Sequence, residues 1–176
     1  MDNAGIARQE ELRLSMSEII YDVQNKTYLT GLSRADGENH RQVAQMQANN
    51  DDSNLNQILR SVQTALGNLY QELGEWVVSE RVLASNLQLP DPSGTVVIKV
   101  EYPANFNSSM ARGLVDASHQ YIVAFAVAEW FVITNKADAP QYTSIAVEAL
   151  KTVGKAMSRR TRPSRPTDTV KQPASE

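Results

Sequence analysis

Residues 121–133 read YIVAFAVAEWFVI, thirteen positions whose single charge is Glu129. A helix of that composition is apolar on nearly every side and must be wrapped by other elements. Spanning a bilayer takes about 20 apolar residues, so thirteen point to the centre of a water-soluble bundle. The flanks define the element further. Asn107, Ser108 and Ser109 offer N-cap side chains ahead of it. At about 1.5 Å per residue, a helix from 108 to 135 would run roughly 40 Å. Asp138 is then a candidate cap, and Pro140 sits where the first turn of a second helix would begin. Tyr142, Ile145, Ala149, Leu150, Val153 and Met157 recur at three- and four-residue steps, giving that helix one apolar face. Residues 107–162 are therefore expected to form a helical hairpin with a short loop, ending in SRRTRPSRP.

The chain upstream is long enough to wrap this hairpin. Over 9–29, Leu12, Met16, Ile19, Ile20, Val23 and Tyr28 keep helical spacing, and Gly31 follows as an expected C-cap. Asp36-Gly37 signals a turn. The next segment, HRQVAQMQA, has only Val43 and Met46 as large apolar residues, which suits a short surface helix or connector. After NNDDSN, with Asp52 or Ser53 as expected cap, Leu55, Ile58, Leu59, Val62, Leu66, Leu69, Tyr70 and Leu73 make a sustained amphipathic helix. Gly67 weakens it by about 1 kcal/mol relative to alanine, and Gly74 ends or bends it. Beyond Arg81 the period changes to two. Leu83, Leu87 and Leu89, the turn PDPSG, and TVVIKVEYP predict a β-hairpin near 82–102, with Val96, Ile98 and Val100 on one face. A lone hairpin is marginal in water, so it has to pack on the helices or pair with another chain by strand addition. The expected fold is mainly α: a bundle of about four helices with one β-hairpin. A helical domain over 1–160 is followed by an extended, proline-containing arm over 161–176, with Pro163, Pro166 and Pro173.

Charge is unevenly spread. Residues 1–154 hold 11 Lys/Arg against 18 Asp/Glu, and residues 155–176 hold 6 against 2. Arg159, Arg160, Arg162 and Arg165 fall within seven residues, and arginine forks grip carboxylates or phosphates. No aromatic residue is interleaved for base stacking, and an acidic body argues against general DNA binding, so docking on protein is the favoured reading. The 176 residues contain no cysteine, which removes disulfides and cysteine nucleophiles. His40 and His119 have no partner at metal-ligand spacing, and the phosphate-binding, hydrolase and metalloprotease motifs are missing. Glu72, Glu75 and Glu80 read as solvated. No signal peptide is expected from MDNAGIARQEELRLS, nor a cofactor, a metal or an enzymatic activity.

One resemblance adds to this. EIIYDVQNKTYLTG, a second long helix, a hairpin, and then AVAEWFVITNK, a tyrosine-bearing helix and RRTRPSRP together resemble the small helical head–tail connector, or adaptor, proteins of tailed bacteriophages. The last third carries most of it. The resemblance implies a structural protein of the virion neck, assembled in the host cytoplasm. It implies a homo-oligomeric ring, commonly of twelve copies, stacked on the portal or on other neck or tail proteins around the DNA channel. Contact with DNA in that channel would be non-specific, and no membrane is involved. Arg159, Arg160, Arg162 and Arg165 become candidate docking residues. Val96, Ile98 and Val100 become candidate packing or strand-addition residues. A nucleic-acid-binding accessory protein using the arm, and a bacterial helical adaptor module, are the alternatives.

Overall fold

The computed structural model describes residues 8–78 and 89–162. In chain order the elements are β1 (Arg8–Ser15), α1 (Met16–Ser33), α2 (His40–Met46), α3 (Asp52–Leu73), β2 (Thr95–Tyr102), α4 (Ala111–Thr134) and α5 (Ala139–Met157). The fold is mainly α, with one two-stranded antiparallel β unit.

Most of the apolar stretch lies where its composition requires. In α4, Tyr121, Ile122, Val123 and Ala124 are buried in succession, as are Ala126, Val127 and Ala128, so the helix is wrapped over 121–128, while Glu129, Val132 and Ile133 at its end are exposed. Such cover takes several neighbours, and α5, α3 and α1 supply it. α5 folds back along α4 after a short turn, with Phe131 meeting Tyr142 edge-on at a centroid distance of 5.4 Å. α1 runs beside α4 in the same sense. Asp22 faces His119 near the start of α4, and Arg34 reaches Asp138 just beyond its end. α3 runs the opposite way: Asn68 hydrogen-bonds Tyr121, and Glu72 lies against Gly154 of α5. The N-terminal end of α3 therefore sits with α2 at the α4–α5 turn, where the Trp130 indole donates to the Met46 carbonyl at 2.8 Å.

Two expectations about the first third are corrected. Helix α1 begins at Met16, not at residue 9. Residues 8–15 form a strand instead, paired antiparallel with β2 so that Leu12 faces Ile98 and Leu14 faces Val96. Leu12-Arg13-Leu14 alternates as well as it spirals, and pairing with a distant apolar strand decides between the two. Ser15 then caps α1 by accepting from the Glu18 amide. Gly31 is not the C-cap either, for α1 continues to Ser33 and Arg34 takes that position. Gly31 lies buried against α2, where an added Cβ would stand 3.2 Å from the Val43 carbonyl oxygen. The missing side chain sets the distance between the helices.

The second strand of the β unit lies at Thr95–Tyr102 as its alternation predicts, with Ile98 and Val100 buried and Val97 and Lys99 turned outward. Its partner comes from the chain's start. Of the segment expected to supply the first hairpin strand, residues 83–88 lie outside the described residues, as does the arm beyond residue 162. The other edge of β2 is met by Val77, bridged to Val100, and by the Val78 amide, which donates to the Lys99 carbonyl.

Caps follow local chemistry. Asp51, one residue before the expected position, opens α3. Gly74, at φ +49°, closes it, and the positive φ explains the glycine. Asp138 holds the N-cap position of α5, with Pro140 in the first turn, but its carboxylate is turned elsewhere. It accepts from Arg34 Nε at 3.1 Å, from Arg34 Nη2, and from Asn135 Nδ2 at 2.6 Å. The Arg34 hydrogen bonds hold this carboxyl below the ordinary carboxylate range against the opposing effect of burial, with Asn135 assisting.

Candidate functional site

The arginine cluster starts where α5 ends, and the chain there is anchored to the loop that precedes α4. Pro103 turns the chain out of β2, and the Phe106 amide donates to the Pro103 carbonyl at 2.8 Å. This exposes the backbone of 105–107 to the returning C-terminal segment. Asn107 N donates to the Arg159 carbonyl at 3.3 Å, Phe106 and Arg160 form an antiparallel bridge, and Thr161 N donates to the Asn105 carbonyl at 2.8 Å. Below this clasp Phe106 stacks on Tyr102, with ring centroids 4.1 Å apart and planes 8° from parallel. Burial, aided by the charge of Glu10, pushes the Tyr102 phenol up to about 12. Arg8, Glu10, Tyr102, Pro103, Phe106 and Ser108 enclose a cavity of about 360 Å³ beside the stack.

The four arginines are not equivalent. Arg160 is a tether: its guanidinium lies 5.3 Å from the Trp76 ring centroid and donates from Nη1 to the Met157 carbonyl at 2.7 Å. Arg159 and Arg162 are exposed, and neither guanidinium has a hydrogen-bond or ion-pair partner among the described residues. Arg165 lies outside the described residues. The root of the arm thus keeps one arginine for its own anchorage and offers at least two to a partner.

Val96, Ile98 and Val100 are placed differently from the arginines. Ile98 and Val100 are buried in the core and Val96 packs against it, so all three serve internal packing. Neither outer edge of the sheet has a strand partner among the described residues: that of β2 is met only by Val77 and Val78, and that of β1 carries Glu10, Glu11 and Arg13. Charges on an open edge discourage indiscriminate strand pairing.

His119 is held in place. Its Nε2 lies 2.9 Å from Asp22 Oδ2, joining α4 to α1. Among the described residues no group of His, Asp and Glu is arranged to hold a metal ion, and no helix is long and apolar enough to cross a membrane. Two members of the arm's anchorage escaped the sequence reading. Trp76 follows a glycine expected to end or bend α3, and Phe106 follows a proline turn, so neither is marked as part of a site. The only available signal was an aromatic residue on either side of the β segment, and neither has a period to mark it. No protein-family profile, no characterised protein and no solved structure matches the chain, so the clasp and its free arginines stand on their own geometry.

Proposed function

We propose that this protein is a structural component of the phage neck: a head–tail connector whose copies close into a ring between portal and tail around the DNA channel. The observation that carries the reading is the anchored root of the arm. A basic, proline-containing segment leaves a helical body from a fixed point, with Arg159 and Arg162 unpaired, while the body itself is acidic. A ring needs a heterologous contact, in which one face of a copy meets a different face of the next. Opposite charges on the arm and body suit such a contact and steer its register. The wrapped α4–α5 hairpin supplies a stiff wedge, since each fully buried large apolar side chain contributes roughly 1.5–3 kcal/mol.

Mass photometry of the purified chain, alone and with a portal ring, tests this. The expected result is a closed oligomer, formed either unaided or on the portal, that a chain truncated after Thr161 fails to make. A monomer that ignores the portal removes the ring reading, and normal assembly of the truncated chain removes the arm from it. If the arm serves nucleic acid instead, DNA affinity falls steeply with salt and is abolished when Arg159, Arg160, Arg162 and Arg165 are replaced by alanine.

A further inference from the structure

Between α1 and the segment after α2 lies an open groove of about 300 Å³. Tyr21, Gln24 and Tyr28 form one wall, and Gln47, Asn49 and Asn50 lie on the other. No charged side chain lines it. Tyr21 is 62% exposed and Tyr28 47%, high values for tyrosines on a helix that buries its opposite face. The Gln24 Nε2 amide is shielded from solvent and has no acceptor among the described residues. Two carboxylates continue the chain from the groove's last lining residue. Asp51 and Asp52 follow Asn50 directly, are exposed, and make no side-chain hydrogen bond or ion pair among the described residues.

We propose that this groove receives residues 162–166 of a second copy, the sequence RPSRP. The inference rests on the reading that copies associate through the arm, and it names the surface that receives it. Proline fixes φ near −65°, and Pro163 and Pro166 are spaced at the three-residue repeat of a polyproline II helix. In that helix they recur on one edge about 9 Å apart. Tyr21 and Tyr28 are seven residues apart on α1, which places them about 10.5 Å apart along the helix axis. The two spacings match, so each ring can lie against one proline. A polyproline II backbone has no internal hydrogen bonds. Its carbonyls are therefore free to accept from carboxamides such as those of the exposed Asn49 and Asn50. Arg162 and Arg165 then supply the charge that Asp51 and Asp52 lack. Aromatic-lined grooves are a general way of recognising proline-rich segments.

With Thr161 held at the Asn105 carbonyl, Arg162 and Arg165 cannot reach Asp51 and Asp52 of their own molecule. Asp51 caps the start of α3, whereas the arm's root lies past the end of α5, beyond the point where Glu72 meets Gly154. From Asp51 to Glu72 alone, α3 covers about 30 Å. From Arg162 to Arg165 an extended chain covers only about 9 Å. Pairing of these arginines with that rim is therefore a contact between copies, and a heterologous one.

The test uses full-length chain with its own arm disabled by Pro163→Ala and Pro166→Ala, titrated into a fluorescent peptide of residues 159–170 while anisotropy is read. Saturable binding is expected. It should weaken at least tenfold when Tyr21→Ala and Tyr28→Ala are added, and at least tenfold when the peptide's two prolines are replaced by alanine. Reversing the rim with Asp51→Lys and Asp52→Lys should weaken it and remove most of its salt dependence. All these groove positions are exposed or at a loop, and far-UV circular dichroism checks that the variants fold. A peptide that does not bind, or binds equally well to the tyrosine and rim variants, overturns the proposal. Failure of the ring is separately visible. Peptide captured by the groove while the wild-type chain stays below ring mass removes the ring and keeps the groove. A ring that forms while the peptide ignores the groove does the reverse.

Discussion

Gly67 is an exposed helical glycine in the middle of α3, and an added Cβ would meet nothing within 4 Å. With no steric cost, alanine there recovers only the helix propensity that glycine forgoes. Gly67→Ala is expected to stabilise the protein by about 0.5–1 kcal/mol in urea denaturation. Asp138 is the opposite kind of residue, 4% exposed and specified by its partners Arg34 and Asn135. Its carboxyl is held low, so its contribution to stability is fully present above the unfolded-state pKa of about 3.9 and is lost as pH falls through the lower folded-state value. Asp36 and Asp91 are also held low, the first chiefly by the Glu38 and Asn39 amides and the second by the Ser93 amide and hydroxyl. All three act in the same direction. Stability should therefore drop as pH falls below about 4, and Asp138→Asn should flatten that drop while costing about 1–2 kcal/mol at neutral pH. Urea midpoints measured from pH 3 to 7 on both proteins check the sign. A steeper acid loss in the variant would contradict it. In the sequence Asp138 was legible as a helix cap. Its pairing with Arg34, more than a hundred residues away, was not, because no local pattern records such a partner.

At the scale of elements, α4 gives the sharpest contrast. Phe131 is fully buried against Tyr142, while Ile133, two residues on, is 67% exposed. Phe131→Ala is expected to cost about 3–5 kcal/mol, and Ile133→Ala to stay within about 0.5 kcal/mol of wild type, as read from paired denaturation curves. Apolar character alone would rank the two alike. The β unit tests a different point. Leu12 is 2% exposed and faces Ile98 across the ladder. Leu12→Ala should cost about 2–4 kcal/mol, although a helical reading would leave Leu12 near a fraying end. A cost below about 1 kcal/mol would argue against the strand. The reason this strand escaped notice is that alternation over three residues, Leu12-Arg13-Leu14, also fits the edge of a helical stripe. The energy that separates the two readings comes from β2, which is distant in sequence.

For the molecule as a whole, the parts that matter for partners lie at opposite ends. The clasp of 105–107 with 159–161 fixes the arm at one end, while Asp51 and Asp52, at the start of α3, lie toward the other. A copy built in this way has unlike ends, which suits heterologous contact. The sequence by itself determined the helical class, the wrapped α4, the α4–α5 hairpin, the strand at Thr95–Tyr102 and the basic arm. Each of these depends on the period or composition of a contiguous segment, and burial of apolar surface rewards such periods wherever the segment lies. Tertiary structure alone decided that residues 8–15 pair with β2, that Gly31 spaces α1 from α2, and that Arg160 serves the clasp while Arg159 and Arg162 stay free. Those outcomes depend on contacts between residues far apart in the chain, whose energy exists only once the helices have brought them together.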